Sequence, residues 1–257
     1  MIRFEDRPDG IALITIDRPA ARNAMTLAMW DTLRDAAVAL DRRDDVRAVV
    51  ITGAGGRAFV SGTDIAEFTG FAGPEDGIAY EARIEAVIAA LEALRVPAIA
   101  AISGACTGGG VSIAAACDVR IGGPGTRVGV PIARTLGNCI SLHNLARLAA
   151  VIGLDAAKAL LLTARLADGV EAHRLGFLHE LAPDDNGVLP QALRVAGEIA
   201  QLAPLTLRVT KDMARRIRAA TPLPDAGDLL RLCYGSDDFH AGVAAFLAKS
   251  SARWSGR

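Results

Sequence analysis

The chain of 257 residues is long enough for one large α/β core, and with 51% apolar and 22% charged residues it excludes disorder and fibrous repeats. Its 28 lysines and arginines nearly balance 29 aspartates and glutamates, so there is no global field to hold nucleic acid or an anionic membrane. The four cysteines, at 106, 117, 139 and 233, lack metal-binding spacing and fit a reducing cytoplasm; the opening MIRFEDRPDG is charged and reads as a mature start, not a secretory signal.

From the N-terminus, Pro8, Asp9 and Gly10 form a turn before residues 11–16, whose side chains alternate between two faces, and this predicts a hairpin. Residues 26–41 have helical spacing, with Leu27, Trp30, Leu33, Ala37 and Leu40 on one stripe and Thr26 as N-cap. RAVVITG follows as a buried strand. After Gly53, Gly55 and Gly56 the chain stays extended through Ala58, Phe59 and Val60. A second helix is predicted over 77–94, where Ile84, Val87, Ile88, Leu91 and Leu94 share a face and Pro97 stops it.

AIAAIS is the next buried strand, Gly104 to Gly110 a loop, 111–116 a helix and CDVRIG another strand. The uncharged stretch 96–117 reaches membrane-spanning length, but its glycine run suits a strand, a turn and a buried helix better. Alternating strands and helices predict an α/β architecture with right-handed crossovers. From residue 140 the pattern is helical, ending in a long basic helix after Pro204 and a last helix at HAGVAAFLAK, with no strand of comparable strength. Arg208, Lys211, Arg215, Arg216 and Arg218 read as a solvated helix face, with a phosphate site as the alternative.

Three glycine-rich stretches carry chemical signals. G-x-G-x-x-A at 53–58 follows a strand and formally matches the fingerprint of a nicotinamide oxidoreductase. Against it, a hairpin and a helix precede that strand, extended residues follow it, and Tyr80 lacks the lysine that a short-chain dehydrogenase has four residues later. S-G-T-D-I at 61–65 runs into a helix start that Asp64 can cap, and S-G-A-C-T-G-G-G at 103–110 ends a strand in glycines before a helix. Each alone is only a tight turn. Together they put two sets of unpartnered amides at the ends of two strands of one sheet, where α/β folds bind ligands. Two such amides suit a carbonyl that becomes an enolate.

IAAISGACTGGGVSIAAACDV at 99–119, AFVSGTDIAEF at 58–68 and AARNAM at 20–25 resemble the signature, first oxyanion segment and early coenzyme A contact of the crotonase, or enoyl-CoA hydratase/isomerase, family. The likeness covers most of the chain. It implies a spiral core of repeated β-β-α turns over 1–195 with an acyl-CoA site, a helical oligomerisation region over 196–257, and a homotrimer or a dimer of trimers. It further implies that the N–H groups of Thr63 and Gly109 hold the thioester oxygen. Arg22, Ala24, Ser61, Asp64, Ile65 and Ala66 then border the coenzyme A, and Ile132 the substrate. The coenzyme A thioester is substrate, and no metal or redox cofactor is implied.

The chain departs from the family pattern at two positions. Family hydratases carry a glutamate three residues after the oxyanion glycine, where this chain has Ser112, and another in a G-x-P-E stretch, where it has Ile132. Positioned acid–base groups contribute about 10²–10⁴-fold, so efficient hydration is not expected. The polar run Arg134, Thr135, Asn138, Cys139, Ser141, His143 and Asn144 reads as a replacement, with Ser112, Asn138 and His143 as candidate groups. His143 is of a type that titrates near neutrality, although a lone histidine on a helix is commonly a packed or surface residue. Cys139 qualifies as a nucleophile only with a lowered pKa. His173, His179 and His240 lack ligand spacing. Isomerisation or decarboxylation through a thioester enolate is therefore expected, with a non-catalytic acyl-CoA-binding paralogue as the alternative. Apolar Ile132 suits decarboxylation, and Arg134 is a candidate for the leaving carboxylate.

Overall fold

The computed structural model describes residues 1–220 and 222–257. The N-terminal hairpin forms as expected, β1 (Ile2–Arg7) pairing antiparallel with β2 (Ile11–Ile16). α1 (Leu27–Asp41) starts at the predicted N-cap, where Thr26 Oγ1 accepts the Met29 N–H at 3.3 Å. Then strand, strand and helix recur: β3 (Ala48–Gly53), β4 (Ala58–Val60) and α2 (Pro74–Ala93); β5 (Ala98–Ile102), β6 (Ala105–Thr107) and α3 (Gly109–Ala116); β7 (Val119–Gly122), β8 (Arg127–Gly129) and α4 (Ile132–Thr135). The chain continues through α5 (Leu142–Ile152), α6 (Leu154–Thr163), β9 (Ala167–Asp168), α7 (Gly169–Arg174) and β10 (Glu180–Leu181). It ends in α8 (Val188–Ala200), α9 (Pro204–Ala219), α10 (Gly227–Tyr234) and α11 (Asp237–Leu247).

In each repeat the first strand joins one sheet, ordered β1-β2-β3-β5-β7-β10, and the second joins another, ordered β4-β6-β8-β9. From β2 onward the first sheet is parallel, as is β4-β6-β8, so helices must carry the chain back between strands. This produces the spiral of β-β-α turns.

The alternation in β2 divides two buried faces, not core from solvent. Ala12, Ile14 and Ile16 pack with α1, α2 and α3, whereas Ile11 and Leu13 pack with Val188, Ala192 and Val195 of α8. Parallel sheets covered on both faces read as continuous apolar runs, which is how AVVITG and AIAAI look. A third cluster, Phe68, Leu136, Tyr234, Phe239 and Val243, ties α10 and α11 to the 3-10 turn Ile65–Gly70.

Several expectations need correction. The loop expected at 104–110 contains β6 and the first turn of α3, and β9 and β10 appear in the region read as purely helical. The stretch 96–117 is β5, β6 and α3, and no helix of the described residues is long and apolar enough to cross a membrane. The glycines at 53–56 lead into β4, not a helix, and Asn23 Nδ2 ties that loop by donating to Ala54 O at 2.9 Å and Ala58 O at 2.7 Å. No helix N-terminus faces a pyrophosphate there, which removes the dinucleotide fingerprint.

The basic helix also differs from its expectation as a solvated face. Lys211 Nζ donates to Val96 O at 3.0 Å and pairs with Asp118, and Arg218 reaches Glu92 at 2.7 Å, so part of the basic side of α9 faces its own core. Leu205, Val209, Met213 and Ile217 point outward instead, 72%, 48%, 60% and 75% exposed.

Candidate active site

β4 and β6 are parallel neighbours, so the turns that follow them lie side by side at the carboxyl ends of two strands, where α/β sheets bind ligands. The first turn holds Gly62 at φ +109, a backbone conformation closed to ordinary side chains. A Cβ on Gly62 would stand 3.6 Å from the Gly109 nitrogen, and one on Gly109 would meet Trp30 at 2.6 Å. Glycine is therefore required by the backbone at 62 and by the close approach of the Trp30 ring at 109. Among the described residues, the N–H groups of Thr63 and Gly109 have no acceptor within the protein, Gly109 being the first residue of α3.

The Thr63 side chain pins its turn from two helices. Trp30 Nε1 of α1 donates to Thr63 Oγ1 at 3.0 Å, and the Tyr80 hydroxyl of α2 lies 2.7 Å from the same oxygen. A buried hydroxyl with two partners fixes its own backbone, and with it the direction of the free N–H.

Both turns open into a cavity of about 840 Å³. Arg22, Ala24, Ser61, Thr63, Asp64, Ile65, Gly109, Ser112, Ile132 and Asn138 all line it, joined by Thr135, Cys139 and Asn144. The structure does not bring Ala66, His143 or Arg134 into this lining, and all three are exposed. Ala66 N–H instead donates to Asp64 Oδ1 at 3.1 Å, so Asp64 caps the 3-10 turn as predicted. Ser141 caps α5, accepting the Asn144 N–H at 3.4 Å.

The titratable groups differ sharply in surroundings. Burial raises the Asp64 pKa, but Arg18 at 2.5 Å and the Ala66 N–H outweigh it, and the net shift is downward. The neighbouring Cys233 thiol and burial push the Cys139 thiol upward, opposite to the lowering that a thiolate nucleophile needs. Burial and the neighbouring Glu81 push the Tyr80 phenol upward. Glu81 is itself 7% exposed and its carboxyl is raised to about 7, by burial above all, against hydrogen bonds from Tyr234 and Ser141. Tyr234 Oη donates to Glu81 Oε1 at 2.7 Å, and Asn138 Nδ2 donates to Tyr234 Oη at 3.3 Å. Asn138 Oδ1 is buried without a protein donor among the described residues.

Sequence reasoning missed Tyr80, Glu81 and Phe68 of the lining, together with Phe246 and Lys249 contributed from the C-terminal end. Glu81 had a signal: with Gly77, Ile84, Ile88 and Leu91 it falls on the buried stripe of α2, where a charged side chain is out of place.

A profile described as enoyl-CoA hydratase/isomerase matches residues 6–257. The crotonyl-CoA hydratase of Syntrophomonas wolfei is 30% identical over 253 residues, covering 97% of this chain and 96% of that protein. The 2,3-dehydroadipyl-CoA hydratase of Escherichia coli is 30% identical over 254 residues, covering 98% and 97%. Among solved structures, an enoyl-CoA hydratase/carnithine racemase from Magnetospirillum magneticum superposes with a TM-score of 0.81 at 31% identity, covering 100% of this chain and 96% of that one. A methylmalonyl-CoA decarboxylase, at TM-score 0.90 and 22% identity over 100% and 98% of the two chains, shares the fold. With the free amides at paired strand ends and the whole-length match, the chain belongs to the enoyl-CoA hydratase/isomerase family.

Proposed function

We propose that the protein binds an acyl-CoA thioester with its carbonyl oxygen between the N–H groups of Thr63 and Gly109, and catalyses isomerisation or decarboxylation through the thioester enolate in preference to hydration. The observation that carries this reading is the pair of unpartnered amides facing one cavity from adjacent strand ends. Donors aimed at an oxygen that gains charge lower the barrier, and one such donor is worth about 10²–10³ in rate. Arg22, Ala24, Ser61, Asp64, Ile65 and, at the rim, Ala66 are the proposed coenzyme A contacts. Hydratases among the relatives support a thioester substrate.

Ser112 and Ile132 argue against efficient hydration, because neither activates water at neutral pH. The apolar Ile132 side chain in the lining suits loss of carbon dioxide from a 2-carboxyacyl thioester, where a fixed carboxylate would repel the substrate's own. A cytoplasmic setting belongs to the same reading, supported by four free thiols. Assembly as a homotrimer or a dimer of trimers is supported by the outward apolar row of α9.

The test is turnover of but-3-enoyl, crotonyl, 3-hydroxybutyryl and methylmalonyl thioesters, followed by mass spectrometry beside calorimetric binding. Isomerisation or decarboxylation well above hydration is expected. Fast hydration contradicts the reaction assignment, and tight binding without any turnover identifies a non-catalytic acyl-CoA-binding paralogue.

A further inference from the structure

We propose that Glu81 is the acid–base group of the cavity, moving one proton between C2 and C4 of a 3-enoyl thioester. The inference rests on the enolate reading above and names its substrate class. Asp64 and Glu81 are the only carboxyl side chains that line the cavity among the described residues. Asp64 is occupied by Arg18 and the Ala66 N–H, which hold it as an anion. That leaves one carboxyl free to exchange a proton.

The surroundings of Glu81 suit that task. Its nearest charged neighbour on α2 is Glu85, which is spent on Arg147 at 2.5 Å. Tyr234 of α10 and Ser141 at the start of α5 donate to the carboxyl, while Tyr80 and Cys139, the other titratable neighbours, are both pushed toward their neutral forms. The carboxyl is raised to about 7, where it takes and returns a proton with equal ease. Docking of Tyr234 does not by itself require a carboxyl, because a glutamine oxygen accepts the same hydrogen bond. Tyr80, the preceding residue, touches Thr63, so this part of α2 borders the oxyanion turn directly.

The step balances without a co-reactant. The Glu81 carboxylate removes a proton from C2, and the C2–H electron pair moves into the thioester carbonyl, giving a dienolate whose oxygen accepts the Thr63 and Gly109 N–H groups. Glu81 returns that proton to C4 as the electrons fall back into a C2–C3 double bond. Hydration instead calls for water activation as well as proton delivery, and Ser112 and Ile132 offer no second titrating group.

The experiment compares wild type, Glu81→Gln, Glu81→Asp and Tyr234→Phe for conversion of but-3-enoyl-CoA to but-2-enoyl-CoA, with binding of unreactive butyryl-CoA measured in parallel. Glu81→Gln is expected to bind butyryl-CoA within about threefold of wild type and to lose about 100-fold or more in kcat, with partial recovery in Glu81→Asp. Tyr234→Phe removes a donor to the carboxylate, so the ascending limb of its pH–rate profile moves to higher pH. That second variant decides the matter should Glu81→Gln fail to fold. Glu81→Gln turnover within about threefold of wild type, or an unmoved limb in Tyr234→Phe, overturns the role of Glu81 while leaving the enolate reading intact. Wild type that binds no acyl-CoA overturns that reading and this inference together.

Discussion

Glu81 is a buried carboxyl whose protonation state links the cavity to the stability of the fold. In the unfolded chain its carboxyl titrates near 4.5, and in the folded cavity at about 7. Between those values the folded state holds a proton that the unfolded state has lost. Its contribution is therefore fully present below pH 4.5 and is lost as pH rises through 7, on the order of 3 kcal/mol. Glu81→Gln does not titrate. Urea unfolding at about pH 5 and about pH 8 should show the variant gaining about 2–3 kcal/mol relative to wild type over that interval. A difference independent of pH contradicts a neutral, buried Glu81. The position was legible, since 77, 81, 84, 88 and 91 keep helical spacing, but its partner was not. Tyr234 lies 153 residues away, and nothing local in the sequence pairs them. His143 shows the converse: its type suggested chemistry, yet its place on α5 turns it to solvent.

At the scale of elements, the docking of α10 on α2 shapes one wall of the cavity. α10 docks on α2 where Gly77 leaves room for Tyr234, and a Cβ on Gly77 would stand 2.1 Å from Tyr234 Cγ. Gly77→Ala should therefore force α10 outward, costing about 1–3 kcal/mol by overpacking and withdrawing the Tyr234 hydroxyl from Glu81. Denaturant midpoints read the cost directly, and an unchanged midpoint contradicts the tight docking. Long helices and buried five- or six-residue strands were readable because periodicity has room to show in them. β6 and β8, with three residues each, and β9 and β10, with two, are too short for any pattern. Their pairing depends on distant strands. The two glycine turns that follow β4 and β6 were nonetheless legible as turns, because glycine runs at strand ends are local features.

For the whole molecule, α9 is the informative helix. Lys211 and Arg218 reach back to Asp118 and Glu92, whereas Leu205, Val209, Met213 and Ile217 recur every four residues on an exposed row. A helix that turns charge toward its own core and aliphatic surface outward is placed to meet another protein surface. Met213→Asp combined with Ile217→Asp should reduce the mass measured by light scattering to that of a single chain, with the fold retained by circular dichroism. A double variant that keeps the wild-type assembly, or a monomeric wild type, contradicts an interface on α9. The sequence pattern showed a basic helix, but which side faced inward depended on Asp118 and Glu92, acids far from it in the chain.

Enolate formation between the Thr63 and Gly109 amides can be read by incubating wild-type protein with but-3-enoyl-CoA and methylmalonyl-CoA in deuterated water and following products and label by mass spectrometry. Enolate formation predicts either isomerisation of the first compound, with the proton that Glu81 carries from C2 to C4 largely retained as protium, or deuterium at C2 after carbon dioxide loss from the second. Binding of both thioesters with neither turnover nor isotope uptake would contradict it.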